Sequence, residues 1–115
     1  MSGLDLTKVQ KKIARQVIET GLVREFENGI DKIDRIIQQW KNKKSETKET
    51  YYEIYQTLTK FDKHIGWRYN DMKGSTYLNI LAMQLADGVI SIDDLQEFDQ
   101  DIRDNIVLIS RINEG

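Results

Sequence analysis

The feature that most constrains this chain is a seam of large apolar residues between positions 22 and 40. The seam residues are spaced four, three, four and three positions apart: Phe26, Ile30, Ile33, Ile37 and Trp40. This spacing stacks the five side chains along one side of an α-helix. The other side of the helix is charged and is therefore expected to face solvent. Its charged residues are Arg24, Glu25, Glu27, Asp31, Lys32, Asp34 and Arg35. The seam therefore predicts a long helix that packs lengthwise on another helix.

The first helix is expected to begin near residue 5 or 7 and to include this seam. Gly21 either ends a shorter helix at a C-cap or lies within a continuous, gently kinked one. No polar loop cluster surrounds it, which favours the continuous helix. The 115-residue chain has no proline, so nothing forces an interruption.

The second helix follows a polar stretch at 41–48, which predicts a loop. Thr50 and Glu53 have the spacing of a capping box, and Ser45 offers an earlier start. Its apolar stripe repeats the spacing of the seam: Tyr51, Ile54, Leu58, Phe61 and Ile65. Because the loop is short, this helix is expected to lie antiparallel on the first one.

The C-terminal part predicts two more helices after a loop or frayed join at 66–74. The helix at 76–86 is apolar around most of its circumference, which predicts burial on several sides. Ser91 and Asp94 resemble a second capping box before the last helix. We therefore predict an all-α single domain, 1–115, with a long antiparallel helical pair at 5–66 and a small helical head at 75–113.

The length of the seam also predicts a homodimer. One short helix and a small head cannot cover so long an apolar stripe. We expect part of the seam to pack against a second copy, which makes its five residues the predicted dimer interface: Phe26, Ile30, Ile33, Ile37 and Trp40.

Composition argues against an enzyme and against a metal site. The chain has no cysteine and one histidine, His64, so it lacks thiolate chemistry and the usual zinc ligand sets. His64 has no evident nucleophile or orienting partner for a role as a general base. Residues 87–94 resemble half of an EF-hand, but Met83 and Leu85 stand at two ligand positions. We expect no catalytic residue, no metal and no cofactor.

The charge distribution and the hydropathy of the chain indicate where the protein is located in the cell and which partners it can bind. Residues 1–50 carry 11 Lys and Arg against 8 Asp and Glu, and residues 51–115 carry 6 against 11, so the halves have charges of +3 and −5. The acidic excess at 87–104 is either a solvated helix face or a complement to the basic half or a basic partner. No apolar run reaches the ~20 residues of a membrane span, and the N-terminus lacks a signal peptide's apolar core. We expect a cytoplasmic protein without membrane contact.

Several motifs resemble the fluorescence recovery protein family of cyanobacteria. In the C-terminal half they are Tyr69-Asn70-Asp71, Leu85-Ala86-Asp87-Gly88, Ile92-Asp93-Asp94-Leu95-Gln96 and Ile106–Arg111. In the first helix they are Ile13-Ala14-Arg15 and Arg24-Glu25-Phe26. The resemblance spans Ile13–Ile112, with insertions around Lys41–Lys48 and near Lys73.

The resemblance implies an all-α homodimer without a cofactor. Members of that family bind photoactivated orange carotenoid protein, speed its return to the inactive state and so restore phycobilisome fluorescence after photoprotection. The family's partner-binding tryptophan falls at Tyr52, and its histidine and aspartate fall at Tyr55 and Gln56. Its arginine falls near Asp62, and under a shifted alignment Lys60 could take its place. Its phenylalanine and lysine of the head fall near Asn79 and Asn105, so the binding residues have changed.

The predicted partner-binding surface combines these positions with aromatic side chains that have polar tips, a type enriched at interfaces. Its residues are Tyr52, Tyr55, Gln56, Lys60, His64, Trp67 and Tyr69. Two other functions stay open. One is a helical adaptor or assembly factor with an unrelated protein partner. The other, less favoured, is a regulator that binds nucleic acid through Lys8, Lys11, Lys12 and Arg15.

Overall fold

The all-α fold class is confirmed in a computed structural model that describes residues 5–114. Over these residues the chain forms four α-helices, which we name α1 (Lys8–Lys41), α2 (Thr47–Tyr69), α3 (Tyr77–Ala86) and α4 (Gln100–Glu114). Two short 3-10 turns lie at Gly74–Thr76 and Ile92–Leu95. None of the helices in this part of the chain is long and apolar enough to cross a membrane.

Helix α1 passes through Gly21 without a break, as expected from the absence of a loop cluster there. Gly21 is buried. A Cβ at this position would lie 2.8 Å from Cδ of Gln84 and 3.1 Å from Cγ2 of Ile90. The glycine therefore serves close packing rather than the end of a helix.

The second helix begins close to the earlier of its two predicted starts, Ser45, and the later start at Thr50 is wrong. Helix α2 begins at Thr47 with Glu46 at its N-cap, so the connection is shorter than residues 41–48. Thr50 is buried one turn into the helix, where its hydroxyl donates to the carbonyl of Glu46 at 2.7 Å. A threonine hydroxyl can bond the carbonyl four residues back, and this local bond replaces the predicted capping box.

The last helix also begins later than the sequence predicts. The capping box of Ser91 and Asp94 is confirmed, since the Ser91 N–H donates to Oδ2 of Asp94 at 2.8 Å. It starts only the 3-10 turn at Ile92–Leu95, and α4 starts at Gln100. At the other join, α2 continues to Tyr69, through half of the stretch predicted as a loop or frayed end.

The described residues group into two compact units, of which the first holds the main apolar core. This first unit contains the residues up to Arg24 and those from Asp71 onward. Helix α3 is buried on several sides as predicted, with Ile80, Leu81 and Ala82 at most 3% exposed. The remaining buried apolar residues of this unit are Ala14, Val17, Ile18, Tyr77, Ile90, Leu95, Phe98, Ile102 and Ile106. The division of the chain into domains stays a prediction.

The second unit, Glu25–Asn70, contains the C-terminal part of α1 and all of α2. The α2 stripe is not fully buried on α1 as expected, since Tyr51 and Leu58 are 68% and 59% exposed and only half-burial is seen for Ile54, Phe61 and Ile65. On the seam of α1, Phe26 and Ile30 are 47% and 70% exposed. The buried positions belong instead to neighbouring faces: Glu25, Gly29 and Ile36 on α1, and Thr50 and Arg68 on α2.

Substituting alanine for two helical glycines should change the free energy of unfolding in opposite directions. Gly66→Ala should raise the free energy of unfolding by about 0.5–1 kcal/mol, because alanine favours helix and nothing lies within 4 Å of the added Cβ. Gly21→Ala should lower it by about 1–3 kcal/mol, because the methyl group displaces the buried Gln84 amide from its hydrogen bond to the carbonyl of Ile18. Urea unfolding followed by circular dichroism measures both. A stabilised Gly21→Ala would contradict the close packing.

Candidate protein-binding surface

Aromatic side chains on α2 are exposed where the sequence predicts a partner surface. Tyr52, Tyr55 and Trp67 are 52%, 63% and 69% exposed. Gln56 and Lys60 are exposed as well. These five residues form what we call the α2 aromatic surface. Large aromatic groups that remain in water are typical of interaction sites.

The other two predicted residues, His64 and Tyr69, are half-buried because both bind Glu25. Nε2 of His64 lies 2.8 Å from Oε1 of Glu25, and the Tyr69 hydroxyl donates to Oε2. Arg68, which is buried, donates from Nη1 to Oε1 at 3.2 Å. We call these four residues the Glu25 cluster.

The expectation that Glu25 faces solvent with the other charged residues of the first helix is wrong, and sequence reasoning assigned no role to Arg68. Glu25 is 5% exposed, and in the sequence it lies between Arg24 and the seam residue Phe26. One available signal was its spacing of four residues from both Gly21 and Gly29. Glycines at this interval mark the side of a helix that neighbours approach most closely.

An apolar groove lies beside the contact between α1 and α2 in the second unit. It encloses about 370 Å³ and is lined by Phe26, Gly29, Ile30, Ile33, Ile54, Thr57, Leu58 and Phe61. A Cβ on Gly29 would lie 3.0 Å from two ring carbons of Phe61, so the two helices come close at the floor of this groove.

The predicted dimer-interface residues lie on the groove or next to it. Phe26, Ile30 and Ile33 line it, and Ile37 is half-buried further along α1. Trp40 is 41% exposed and lies outside the groove lining, where its Nε1 donates to the Thr47 hydroxyl at 2.9 Å.

The half-loop that resembles an EF-hand uses its last carboxylate for an ion pair. Asp94 accepts hydrogen bonds from Arg24 at 2.8 and 3.2 Å, and from the Ser91 amide. The Arg24 hydrogen bonds and the Ser91 amide lower the pKa of the Asp94 carboxyl from 3.8 to about 2. Within the described residues, no group of three or more His, Cys, Asp or Glu side chains could hold a metal ion.

No family model, curated protein or solved structure matches the chain. The resemblance to the fluorescence recovery protein family therefore stays a prediction from its motifs.

The Asp94 ion pair predicts a measurable acid sensitivity. A carboxyl with a lowered pKa stabilises the fold above its unfolded pKa, 3.8, and this contribution disappears as the pH falls toward about 2. Asp94→Asn should lower the free energy of unfolding at pH 7 by about 1–2 kcal/mol, less than the full pKa shift because Arg24 is 42% exposed.

The difference between wild type and Asp94→Asn should shrink in urea unfolding measured from pH 5 down to pH 2. The exposed neighbour Asp93 gives the control, Asp93→Asn, for which we expect a much smaller effect. An equal loss in both variants, or a difference that does not change with pH, would assign the effect to something other than the ion pair.

Proposed function

We propose that this chain is a non-enzymatic regulatory protein that acts by binding another protein. The observation that carries the proposal is the α2 aromatic surface, with Tyr52, Tyr55 and Trp67 each more than half exposed. Burying such side chains in water-excluding contacts is the main source of energy at protein interfaces. The motifs shared with the fluorescence recovery protein family favour light-activated orange carotenoid protein as the partner.

The proposal includes an antiparallel arrangement of α1 and α2 in the second unit. Contacts between the two helices support it, because positions on α2 fall as positions on α1 rise. In order along α1, the pairs are Glu25 with Arg68, Gly29 with Phe61, and Trp40 with Thr47.

The proposal also includes a homodimer formed through the apolar groove. The groove lining is almost entirely apolar, and its residues Phe26, Ile30 and Leu58 are 47%, 70% and 59% exposed. A second copy that covers these side chains would remove their apolar surface from water at about 25 cal/mol per Å². This face is also the one that the seam predicts as the dimer interface.

Ile30→Glu tests the dimer. Ile30 is 70% exposed in one copy, so the substitution should leave the helices of that copy intact. In the dimer it buries an unpaired charge, which costs about 3–5 kcal/mol. Light scattering after gel filtration should give about twice 13.5 kDa for wild type and about 13.5 kDa for the variant. Asn28→Glu, an exposed change outside the groove, should stay dimeric. A monomeric wild type at tens of micromolar would refute the dimer.

Tyr52→Ala and Trp67→Ala test the partner surface. Each should weaken binding to light-activated orange carotenoid protein by about 1–4 kcal/mol, or roughly 5- to 800-fold in Kd, if these side chains are hot spots. Circular dichroism and dimer mass should not change. Gln39→Ala on α1, where the side chain is exposed, should bind as wild type does.

Two outcomes would change the proposal. If wild type ignores the carotenoid protein in both dark and light, the partner is wrong. The adaptor hypothesis is then tested by comparing what wild type and Tyr52→Ala capture from the native cell extract. If both aromatic variants bind the true partner as tightly as wild type, the surface assignment is wrong.

A further inference from the structure

The Glu25 cluster contains more buried charged and polar groups than a helical pair needs in order to be stable. Glu25 and Arg68 are 5% and 4% exposed, so both charges have lost most of their water. The desolvation cost of a buried ion pair often cancels its attraction, and well-packed apolar residues can replace such a pair without loss of stability. The hydrogen bonds do fix the orientation of the side chains, because each bond holds its donor and its acceptor in one geometry.

The residues that Glu25 binds surround an exposed tryptophan. They are His64, Arg68 and Tyr69, which lie three residues before Trp67 and one and two residues after it. The backbone of α2 around Trp67 is thus fixed on both sides by one carboxylate from α1. The indole itself points into solvent and is 69% exposed.

His64 connects the carboxylate to the indole. Its ring centre lies 6.2 Å from that of Trp67, with a tilt of 37° between the ring planes. This separation is within the range for interacting aromatic rings. On its other side, the His64 ring centre is 6.3 Å from that of Phe61. The imidazole is held by Glu25 and Phe61, and the indole lies against it.

We propose that Glu25 is a positioning residue of the α2 aromatic surface: it holds His64 and thereby fixes the orientation in which Trp67 meets a protein partner. An exposed side chain otherwise changes rotamer within picoseconds to nanoseconds. Ordering the indole before binding removes part of the entropy that the complex must lose. The role in partner binding rests on the proposed function, whereas the order of the indole is a property of the chain alone.

Time-resolved fluorescence anisotropy tests the order of the indole directly. The chain has two tryptophans, so Trp40→Phe leaves Trp67 as the only reporter. In this background, Glu25→Gln removes the charge and keeps the side-chain size. The amplitude of nanosecond indole motion should rise about twofold. Glu27→Gln, an exposed change two positions along α1, should leave the amplitude unchanged.

His64→Ala is the second variant. It removes the imidazole between Glu25 and the Trp67 indole and leaves Glu25, Arg68 and Tyr69 unchanged. The amplitude of nanosecond Trp67 motion should rise in this variant as well. If circular dichroism shows that Glu25→Gln does not fold, the result for His64→Ala tests the proposal in its place. An unchanged amplitude in a folded Glu25→Gln or in His64→Ala, or an equal rise in Glu27→Gln, overturns the proposal.

Binding provides the second readout. The probe is light-activated orange carotenoid protein. Glu25→Gln should raise the Kd of its complex with this probe about tenfold, because Trp67 is still present but is no longer ordered before binding. If wild type binds and Glu25→Gln binds equally well, the positioning role in recognition is wrong. If wild type does not bind at all, the proposed function fails, and the anisotropy result still decides whether Glu25 orders the indole.

Discussion

One buried carboxylate joins α1 to the last turns of α2. Glu25 accepts hydrogen bonds at both of its oxygens from side chains of a single stretch of α2, and one of the donors is the buried guanidinium of Arg68. These bonds offset the cost of taking the charge out of water. Glu25 begins the second unit and Tyr69 lies next to its end. The cluster therefore closes one end of the two-helix unit, while the short connection before Thr47 closes the other.

This choice of contact face determines which side chains stay in water. A polar cluster and a glycine occupy the positions of α1 that face α2, at Glu25 and Gly29. Phe26 and Ile30, one position further along the chain, are turned by about 100° and open onto the groove instead. Two helices alone cannot bury every apolar stripe that they carry, so the unit presents a largely apolar face that another molecule can cover.

The periodicity of apolar residues located the helices well, because it reports a property averaged over several turns. It predicted the burial of α3, where Ile80, Leu81 and Ala82 point to different sides of one helix. The continuity of α1 through Gly21 followed instead from the absence of proline and of a loop cluster there. Helix ends were less predictable. At the start of α2, the Thr50 hydroxyl bonds a carbonyl within the helix rather than capping it.

The contact face of α1 could not be read from the same pattern. A stripe that packs within one chain and a stripe that packs against another molecule have the same composition and spacing. The spacing of the seam therefore did not distinguish the two, and the dimer interface was predicted from the length of the seam alone. The buried role of Glu25 was equally hidden, because a lone glutamate among charged residues usually lies in solvent. The exposure of Tyr52, Tyr55 and Trp67 was predicted better, since Tyr52 and Tyr55 lie off the apolar stripe of α2 and Trp67 comes after its last residue, Ile65.

The geometry of α2 separates the two proposed contacts. Trp67 follows Leu58 by nine residues, which is two and a half turns, so the two side chains leave the helix on opposite sides. Leu58 lines the groove, whereas Trp67 lies against His64 and is not part of the groove lining. A second copy that covers Leu58 would therefore leave Trp67 accessible, and a dimer could present the aromatic surface once on each copy. Dimerisation and partner binding then need not compete for the same side of α2.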